Sequence, residues 1–396
     1  MATLEQLPFA RGTDLLGPPP RYAELREGGP VVRVVTPAGD PAWLVIGYAE
    51  VRDLYQDPRL GRSHPRPAEA ARVSGAAVAG GPSGEYETEK ADHARMRRLL
   101  MPAFSARRMA RLRVRVQELV EELLAGMAAA GPPGDLHESL SFPLPALVIC
   151  ELLGVPYGDR ADFRRWSAGV ADTTDAAASE RALAELRAYM GRLVAVKRTA
   201  PGEDVISDLL ATGPAEGMTD GDIAELAAGL LFAGHETTMG RIDLGTVLLL
   251  THPDQAAALR SDPGLVVTAV EEILRYAVPS QLGLVARYAH TDLTVAGVDI
   301  RAGEAVLFSL TAANRDPAAF EDPDRFDIAR TPNPHLGFAY GPHFCLGASL
   351  ARVELQSVFA TLPGRFPGLA LAVPPDALRV RDRSLTGGLD ALPVTW

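Results

Sequence analysis

Apolar residues recur at helical spacing through most of this chain. The pattern is clearest in five segments, which we predict to be helices: Met109–Met127, Phe163–Val170, Ala182–Val196, Ile223–Leu250 and Val266–Tyr276. Strand-like runs are short, and we predict four of them: Val31–Val35, Trp43–Ile46, Leu293–Val298 and Ala305–Leu310. We see no internal repeat and no clean linker, so we predict a mainly α fold with small β-sheets in a single domain over residues 1–396.

Composition narrows the class of protein. The chain has 396 residues, of which 47% are hydrophobic, which is ample for a large core. Its formal net charge is −11, which argues against a nucleic-acid binder because phosphate contacts need a basic face. Its two cysteines cannot form a disulfide framework, so we expect a reducing, cytoplasmic compartment. No apolar run reaches the length of a membrane span, so we expect no membrane anchor.

The two cysteines lie in different contexts. Cys150 belongs to an apolar helical run, and we predict that it packs in the core. Cys345 lies in FAYGPHFCLG, residues Phe338–Gly347, directly before a second run with helical spacing. The unpaired N–H groups at a helix N-terminus favour a thiolate, and a thiolate can ligate haem iron and push electron density onto it. Taken alone, a lone intracellular cysteine such as Cys345 is more often a small buried hydrophobe.

A second candidate site, Ala233-Gly234-His235-Glu236-Thr237-Thr238, lies inside the long predicted helix. Glycine in a helix interior costs roughly 1 kcal/mol relative to alanine, so Gly234 indicates that something approaches the backbone closely. We predict that the Thr237 hydroxyl bonds to the carbonyl of Ala233. An acid beside this threonine, Glu236, suits proton delivery in general acid catalysis. The alternative is a solvated helix edge.

The motif Phe-x-x-Gly-x-His-x-Cys-x-Gly, formed here by Phe338, Gly341, His343, Cys345 and Gly347, resembles the haem-ligand loop of the cytochrome P450 family. The AGHETT segment resembles the family's oxygen-activation motif, with glutamate where many members carry aspartate. Glu272-Ile273-Leu274-Arg275 is similar to the family's E-x-x-R, and Asp322–Asp327 to its second arginine segment. The resemblance runs from His93 to about Leu355.

The resemblance implies a role for each matching residue. Cys345 is expected to be the axial ligand of haem b (iron protoporphyrin IX), which lies between the long central helix and the cysteine loop. The loop residues, together with Ala233 and Gly234, are expected to contact the haem. Glu236 and Thr237 are expected to be catalytic. Four residues are expected to hold the haem propionates: His93, Arg97, Arg287 and His343. Glu272, Arg275 and Arg325 are expected to form a buried structural network.

The resemblance also implies an activity: a monomeric, soluble, bacterial-type haem-thiolate monooxygenase that inserts one oxygen atom from O2 into an organic substrate. Electrons would come from NAD(P)H through a ferredoxin reductase and a ferredoxin. We expect a bulky, mainly apolar small-molecule substrate of natural-product type, most simply hydroxylated. The rivals are a peroxide-driven oxygenase, whose members often replace the acid–alcohol pair, and a non-catalytic haem-thiolate protein that binds a ligand or recruits an enzyme.

By family topology, five segments surround the substrate: the loop Gly61–Lys90, residues 163–196, Leu230–Ala233, Ser280–Val285 and Ser384–Gly388. Possible polar contacts within them are Ser280, Gln281, Ser384 and Thr386. The alternative for Gly61–Lys90, which is rich in Ala, Gly, Pro and Ser, is a surface loop without a role.

Eight arginines and no acidic residue lie between His93 and Gln117: Arg95, Arg97, Arg98, Arg107, Arg108, Arg111, Arg113 and Arg115. We predict that they form a docking surface for an acidic electron-transfer protein. The alternative is a solvated helix face.

Overall fold

A computed structural model describes residues 4–12, 14–277 and 285–396. The helices in these ranges are α1 (Arg21–Glu27), α2 (Tyr48–Leu54), α3 (Glu89–Leu100), α4 (Ala106–Ala130), α5 (Pro143–Leu153), α6 (Arg160–Ala171), α7 (Ala176–Thr199), α8 (Val205–Thr212), α9 (Asp220–Thr251), α10 (Pro253–Ser261), α11 (Val266–Tyr276), α12 (Leu310–Ala313) and α13 (Ala348–Arg365). The strands are β1 (Glu5–Gln6), β2 (Val31–Val35), β3 (Pro41–Val45), β4 (Leu60–Gly61), β5 (Gly134–Asp135), β6 (Arg287–Ala289), β7 (Leu293–Val295), β8 (Val298–Ile300), β9 (Ala305–Phe308), β10 (Ala370–Leu371) and β11 (Pro393–Thr395). The prediction of a mainly helical fold with small sheets is confirmed.

All five predicted helices are present, and most are longer than the apolar pattern indicated. The central helix α9 begins at Asp220 because Thr219 caps it. The Thr219 hydroxyl accepts a hydrogen bond from the Asp222 N–H, and the Asp222 carboxylate accepts one from the Thr219 N–H. This reciprocal capping box satisfies two donors that a helix start otherwise leaves unpaired.

The prediction of a single strand over Leu293–Val298 is wrong. The chain reverses there into the hairpin of β7 and β8, which pairs Val295 with Val298. The two turn residues have positive φ, 47° at Ala296 and 82° at Gly297. A two-residue turn of this kind matches the twist of the flanking strands. The apolar run hid the turn because its first residue is alanine, which rarely adopts positive φ.

The largest sheet has six strands in the order β1-β2-β3-β9-β6-β4. It joins the N-terminal part of the chain to residues near 300, since β3 pairs in parallel with β9. Its antiparallel pair β4–β6 sets Gly61 opposite Tyr288. This pairing places the start of the Gly61–Lys90 loop next to the strand that carries Arg287.

The helical part is built around α9, which packs against α5, α7, α11 and α13, while α13 packs against α4. From Thr238 to Leu249 every residue of α9 is buried, as expected for a helix that is surrounded by protein. Cys150 on α5 is buried in this core, as predicted, and burial raises its pKa to about 12. Among the described residues, none of the helices combines the length and the apolarity that crossing a membrane requires.

Candidate active site

The loop Phe338–Gly347 is held in a tight turn that presents Cys345. The Cys345 N–H donates to the Phe338 carbonyl at 2.9 Å, and the Phe344 N–H donates to the Gly341 carbonyl at 3.0 Å. Gly341 has φ +66°, and a Cβ there would lie 2.7 Å from Gln56 Cγ. The loop therefore requires glycine at position 341 for its backbone conformation and for its close approach to the end of α2.

The Cys345 thiol is exposed, but the surrounding protein raises its pKa. The main cause is desolvation, since the protein atoms around Cys345 displace most of the water from the sulfur although part of the residue's surface stays exposed; this outweighs a hydrogen bond from the Gly347 N–H and the charges of Arg97 and Arg352, which lower the pKa. Our prediction of a favoured thiolate is therefore wrong for the free thiol. The helix starts at Ala348, three residues later, so only one N–H reaches the sulfur. Coordination to a metal cation deprotonates such a thiol outright.

The AGHETT segment lies on α9 as predicted, and the Thr237 hydroxyl donates to the Ala233 carbonyl at 2.7 Å. Ala233 is exposed and Thr237 is partly exposed, although most of their neighbours on the helix are buried. This face of α9 therefore borders an open space inside the helical part. The Gly234 face differs, because a Cβ there would lie 3.0 Å from Ile149 Cδ1. The close approach at Gly234 is thus made by α5, and contact between Gly234 and the haem stays a prediction.

Glu236 is buried and held by partners far away in the chain. The Thr386 hydroxyl donates to Glu236 Oε2 at 3.0 Å, and the Arg381 guanidinium lies 3.4 Å from the same oxygen. The Ser384 hydroxyl lies 3.0 Å from that of Thr386 and is partly exposed. We predicted Ser384 and Thr386 as polar contacts to the substrate, but Thr386 is buried and turned toward Glu236. No motif or spacing pattern in the sequence pointed to Arg381.

A second buried acid on α9, Asp243, pairs with His137 at 2.7 Å. Burial works to lower the pKa of His137, but the bond to Asp243 and its charge outweigh burial and raise the pKa. Arg381 acts against this shift and Asp135 acts with it. His137 begins a π-helical turn, His137–Ser141, a rare element that leads into α5.

The four residues predicted to hold propionates form one cluster with an additional cation. The rings of His93 and His343 lie 4.1 Å apart, and Arg97 donates to the Phe344 carbonyl at 2.8 Å. Arg287 is buried, and its pKa falls to about 10, mainly because of burial. His343 has its pKa lowered to about 3 by burial and then by the charge of Arg287, with smaller contributions from His93 and Arg62. Sequence reasoning missed Arg62, which lies in the Gly61–Lys90 loop.

The E-x-x-R pair is fully buried and bidentate, with both nitrogen–oxygen distances between Arg275 and Glu272 at 2.8 Å. The prediction that the Arg325 side chain joins Glu272 and Arg275 in this buried network is wrong. The Arg325 side chain is 64% exposed and pairs with Asp327. Instead Arg330 Nε donates to Glu272 Oε1 at 3.2 Å, from a side chain that is 9% exposed. Only the backbone of Arg325 takes part, because its carbonyl accepts from Arg275 and Arg330.

Comparison with known proteins agrees with this geometry. Residues 155–367, more than half of the chain, match the cytochrome P450 family. Pentalenolactone synthase of Streptomyces exfoliatus is 44% identical, and the alignment covers 100% of both chains.

The chain belongs to the cytochrome P450 family.

Other relatives have related names. Mycinamicin IV hydroxylase/epoxidase of Micromonospora griseorubida is 43% identical over 95% of each chain. The solved structure of the putative thioether synthase SgvP has a TM-score of 0.93 at 40% identity, with 100% of both chains covered. A second structure, the pimaricin epoxidase PimD, has a TM-score of 0.90 at 41% identity over 100% of both chains. This protein is therefore a P450 monooxygenase with the P450 fold.

The donor set of this P450 fits the haem that the family uses. Cys345 is exposed, and Arg62, Arg97 and Arg287 lie near its loop with one nearby carboxylate, Glu89, which pairs with none of the three. Arg287 makes one long hydrogen bond, 3.4 Å to the Ala286 carbonyl, and Arg62 Nε is buried without a partner. Buried guanidinium groups without an acid are costly, and the two propionates of a haem supply the missing carboxylates.

The Gly61–Lys90 loop of this P450 packs over the open face of α9. The Gly75 N–H donates to the Thr173 carbonyl, and the Ala77 N–H donates to the Ser179 hydroxyl at 2.9 Å. Residues 77–79 pack on a small apolar cluster that contains Phe232 of α9. The loop thus has defined partners in the α6–α7 region. Of the other predicted pocket segment, Ser280–Val285, all but Val285 lies outside the described residues, as do the expected contacts Ser280 and Gln281.

The predicted basic surface is largely neutralised within this P450. Acidic groups pair with four of its arginines: Arg95, Arg98, Arg108 and Arg115. Arg97 is directed toward the cysteine loop. The arginines that remain available on α4 are Arg107, Arg111 and Arg113; all are exposed, and the nearest acid to Arg111 is Glu203 at 3.8 Å. The unpaired positive surface is therefore smaller than the sequence indicated.

Proposed function

We propose that this P450 binds haem b through Cys345 and inserts one oxygen atom into a bulky, mainly apolar natural product, in a tailoring step of secondary metabolism. The observation that carries the proposal is the exposed Cys345 beside a cluster of arginines and histidines that outnumbers its one nearby carboxylate, Glu89, which matches one iron ligand and two propionates. The relatives named pentalenolactone synthase and mycinamicin IV hydroxylase/epoxidase support a natural product as the substrate.

Each residue of the site has a definite task in this reaction. When bound, the haem would supply the reductive activation of dioxygen, which a thiolate ligand favours by donating electron density to the iron. Cys345 ligates the iron, and the cation cluster orients the porphyrin through its propionates. Thr237 stands on the open face of α9, where its hydroxyl, anchored on the Ala233 carbonyl, can accept and return a proton. The small residues on that face leave room for a substrate.

Glu236 supplies the proton that Thr237 passes on. A hydrogen-bonded series of oxygen atoms runs from the partly exposed Ser384 through Thr386 to Glu236 Oε2, with both steps at 3.0 Å. Because each hydroxyl in such a series gives one proton and receives another, the carboxyl group can be protonated again without itself reaching solvent. Arg381 balances the charge of the carboxylate between turnovers.

The first experiment records the absorption spectrum of the purified, dithionite-reduced protein with and without carbon monoxide. Wild type should give a strongly red-shifted Soret band, and Cys345→Ser should lose it while keeping the fold. Cys150→Ser is the matched control, because that thiol is buried in the core. Absence of haem from wild type, or a red-shifted band that survives in Cys345→Ser, would overturn the assignment.

We further propose that a ferredoxin, reduced by a separate ferredoxin reductase, docks on α4 near the cysteine loop. Exposed arginines there accompany two exposed apolar side chains, Val114 on α4 at 64% and Met101 in the turn before α4 at 59%. Opposite charges speed encounter, and a small apolar centre holds the complex. Arg107 and Arg111, one helical turn apart, are the cations to reverse, since Arg111 has only a long pair with Glu203 at 3.8 Å, whereas Arg108 is engaged by Asp208 at 2.6 Å.

Stopped-flow reduction by a ferredoxin at low salt tests this docking surface. The double variant Arg107→Glu, Arg111→Glu should reduce at least tenfold more slowly, with an unchanged spectrum. The control is Arg181→Glu with Arg192→Glu, two exposed arginines on α7, a helix that packs against α6 and α9. Equal rates for the two doubles would contradict the docking surface and leave the haem-thiolate assignment standing.

A further inference from the structure

Arg62, like Arg241 on α9, is largely buried and bonds to no acid or carbonyl of the described residues, but of the two only Arg62 lies among the cations beside the cysteine loop. Its Nε is buried without a partner, and its side chain makes no hydrogen bond or ion pair with any residue in the described ranges. Most other arginines in those ranges pair with an acid or with a backbone carbonyl. A guanidinium has five donors and stays charged in proteins, so an unpaired one in a partly buried place indicates a missing anionic partner.

The backbone around Arg62 is fixed, which gives its side chain a defined direction. The Glu89 carboxylate accepts from the Arg62 N–H at 2.6 Å and from the Ser63 N–H at 3.0 Å. The Arg62 carbonyl accepts from the Ser83 N–H at 2.9 Å. A Cβ at Gly61 would lie 2.5 Å from Glu89 Oε2, so the chain must have glycine there to come this close. Glu89 thus clamps the first residues of the loop onto the start of α3.

The clamp places Arg62 against the cation cluster. Glu89, His93 and Arg97 are spaced four residues apart on α3 and share one face of the helix. The charge of Arg62 acts on His93, whose pKa is lowered by burial, by Arg97 and by Arg62, and it also acts on Arg287; the Glu89 carboxylate opposes these shifts. Glu89 is one carboxylate against three arginines, Arg62, Arg97 and Arg287, so the cluster keeps an excess of like charge that a further anion would relieve.

Resting on the proposed haem-thiolate function, we propose that Arg62 is an additional propionate-binding residue, and that it fastens the Gly61–Lys90 loop to the cofactor. The unpartnered guanidinium, its anchored backbone and its position beside His93 carry this assignment. Because the same loop contacts the α6–α7 region through Gly75 and Ala77, loading of the cofactor and closure of the pocket wall are linked through one side chain.

Transfer of haem to excess apomyoglobin measures this contact without any substrate. Arg62→Gln should release haem about tenfold faster than wild type, as expected from the loss of one hydrogen bond to a charged group. Arg62→Lys keeps the charge but loses the planar fork, so its rate should fall between the two. The control is Arg66→Gln in the same loop, where the arginine is 71% exposed and pairs with Glu69.

Limited proteolysis with thermolysin gives the second readout. In the haem-loaded protein, Arg62→Gln should be cleaved faster within residues 70–80, and Arg66→Gln should not. Rates of haem transfer and cleavage equal to those of the control would overturn the role of Arg62. If Arg62→Gln fails to load haem, the same transfer assay is run on Arg62→Lys. Release of haem from Arg62→Lys at the wild-type rate would then contradict the proposal. The carbon-monoxide spectrum separates the cases, since a normal thiolate band in wild type shows that only the Arg62 assignment has failed.

Discussion

The network around Glu272 allows two arginines of identical charge to be compared directly. Arg330 and Arg325 lie five residues apart, and the replacement of either by methionine removes one positive charge and keeps a side chain of similar length. Arg330 is 9% exposed and donates to Glu272, while Arg325 is 64% exposed and pairs only with Asp327. Any difference in stability between the two variants therefore reports burial and partners, not net charge.

The structure sets the expected magnitudes. Arg330→Met leaves the buried Glu272 with Arg275 alone as its cationic partner, and it frees backbone carbonyls at Glu321 and Asp322. Breaking a buried pair costs about 3–5 kcal/mol, and because Glu272 keeps its bidentate partner we expect about 3 kcal/mol. Arg325→Met removes a surface pair, for which about 0.5 kcal/mol is typical. Arg275→Met should cost most, since that side chain is fully buried.

Urea unfolding followed by far-ultraviolet circular dichroism, at a fixed haem concentration, measures these differences. The midpoints should fall in the order Arg325→Met, Arg330→Met, Arg275→Met, with equal slopes for the first two variants. A loss at Arg325→Met as large as the loss at Arg330→Met would refute the reasoning, because it would mean that side-chain burial does not decide which arginine completes the network.

Three further predictions concern α9. Thr237→Ala should divert electrons from product to hydrogen peroxide, measured as peroxide formed per NAD(P)H consumed, whereas Thr238→Ala, its buried neighbour, should not; equal leakage would mean that the hydroxyl has no role in proton delivery. Thr386→Val should increase peroxide formation in the same assay, and Thr386→Ser should keep it at the wild-type level, because a side chain at position 386 needs a hydroxyl to donate to the Glu236 carboxylate. High peroxide formation in Thr386→Ser as well would indicate a packing effect. The pKa of His137 is raised above 6.5, so its pairing with Asp243 stabilises the fold fully below pH 6.5, and this stabilisation is lost as the pH rises through the raised pKa. The urea midpoint of wild type should therefore fall relative to that of His137→Gln as the pH rises through that window. Parallel plots of midpoint against pH for the two proteins would contradict the assignment.

The sequence predicted the parts of this P450 that depend on local spacing. A helix interior with Gly234 and Thr237, a cysteine before a helix, and a carboxylate three residues from an arginine are all readable from neighbours in the chain. What spacing could not decide is which way a side chain turns. Arg325 is the arginine of the segment that resembles the family motif, and we therefore expected it in the network. The fold instead turns Arg330 toward Glu272 and Arg325 toward solvent.

Contacts between segments that are far apart in the chain could not be predicted from local sequence patterns, for a different reason. Thr386 and Glu236 are 150 positions apart, and nothing in either segment indicates the other. Arg62 lies in a stretch rich in small residues that has no helical or strand pattern, so its neighbours gave it no structural context. Its significance appears only when Glu89, 27 positions later, clamps its backbone onto α3.

The C-terminal segment has two attachments that together explain why the acid of the site is held by residues so far away. The Leu385 N–H donates to the Ala171 carbonyl at 2.8 Å, and the Thr173 N–H donates to the Arg383 carbonyl at 2.9 Å, so the segment is fixed to the end of α6. Directly after these backbone contacts, the hydroxyl of Thr386 donates to the Glu236 carboxylate on α9. The same turn after α6 accepts a hydrogen bond from the Gly61–Lys90 loop. A displacement of this turn therefore moves both the pocket wall and the donor of Glu236, so that the geometry of substrate enclosure and the position of the acid depend on one another.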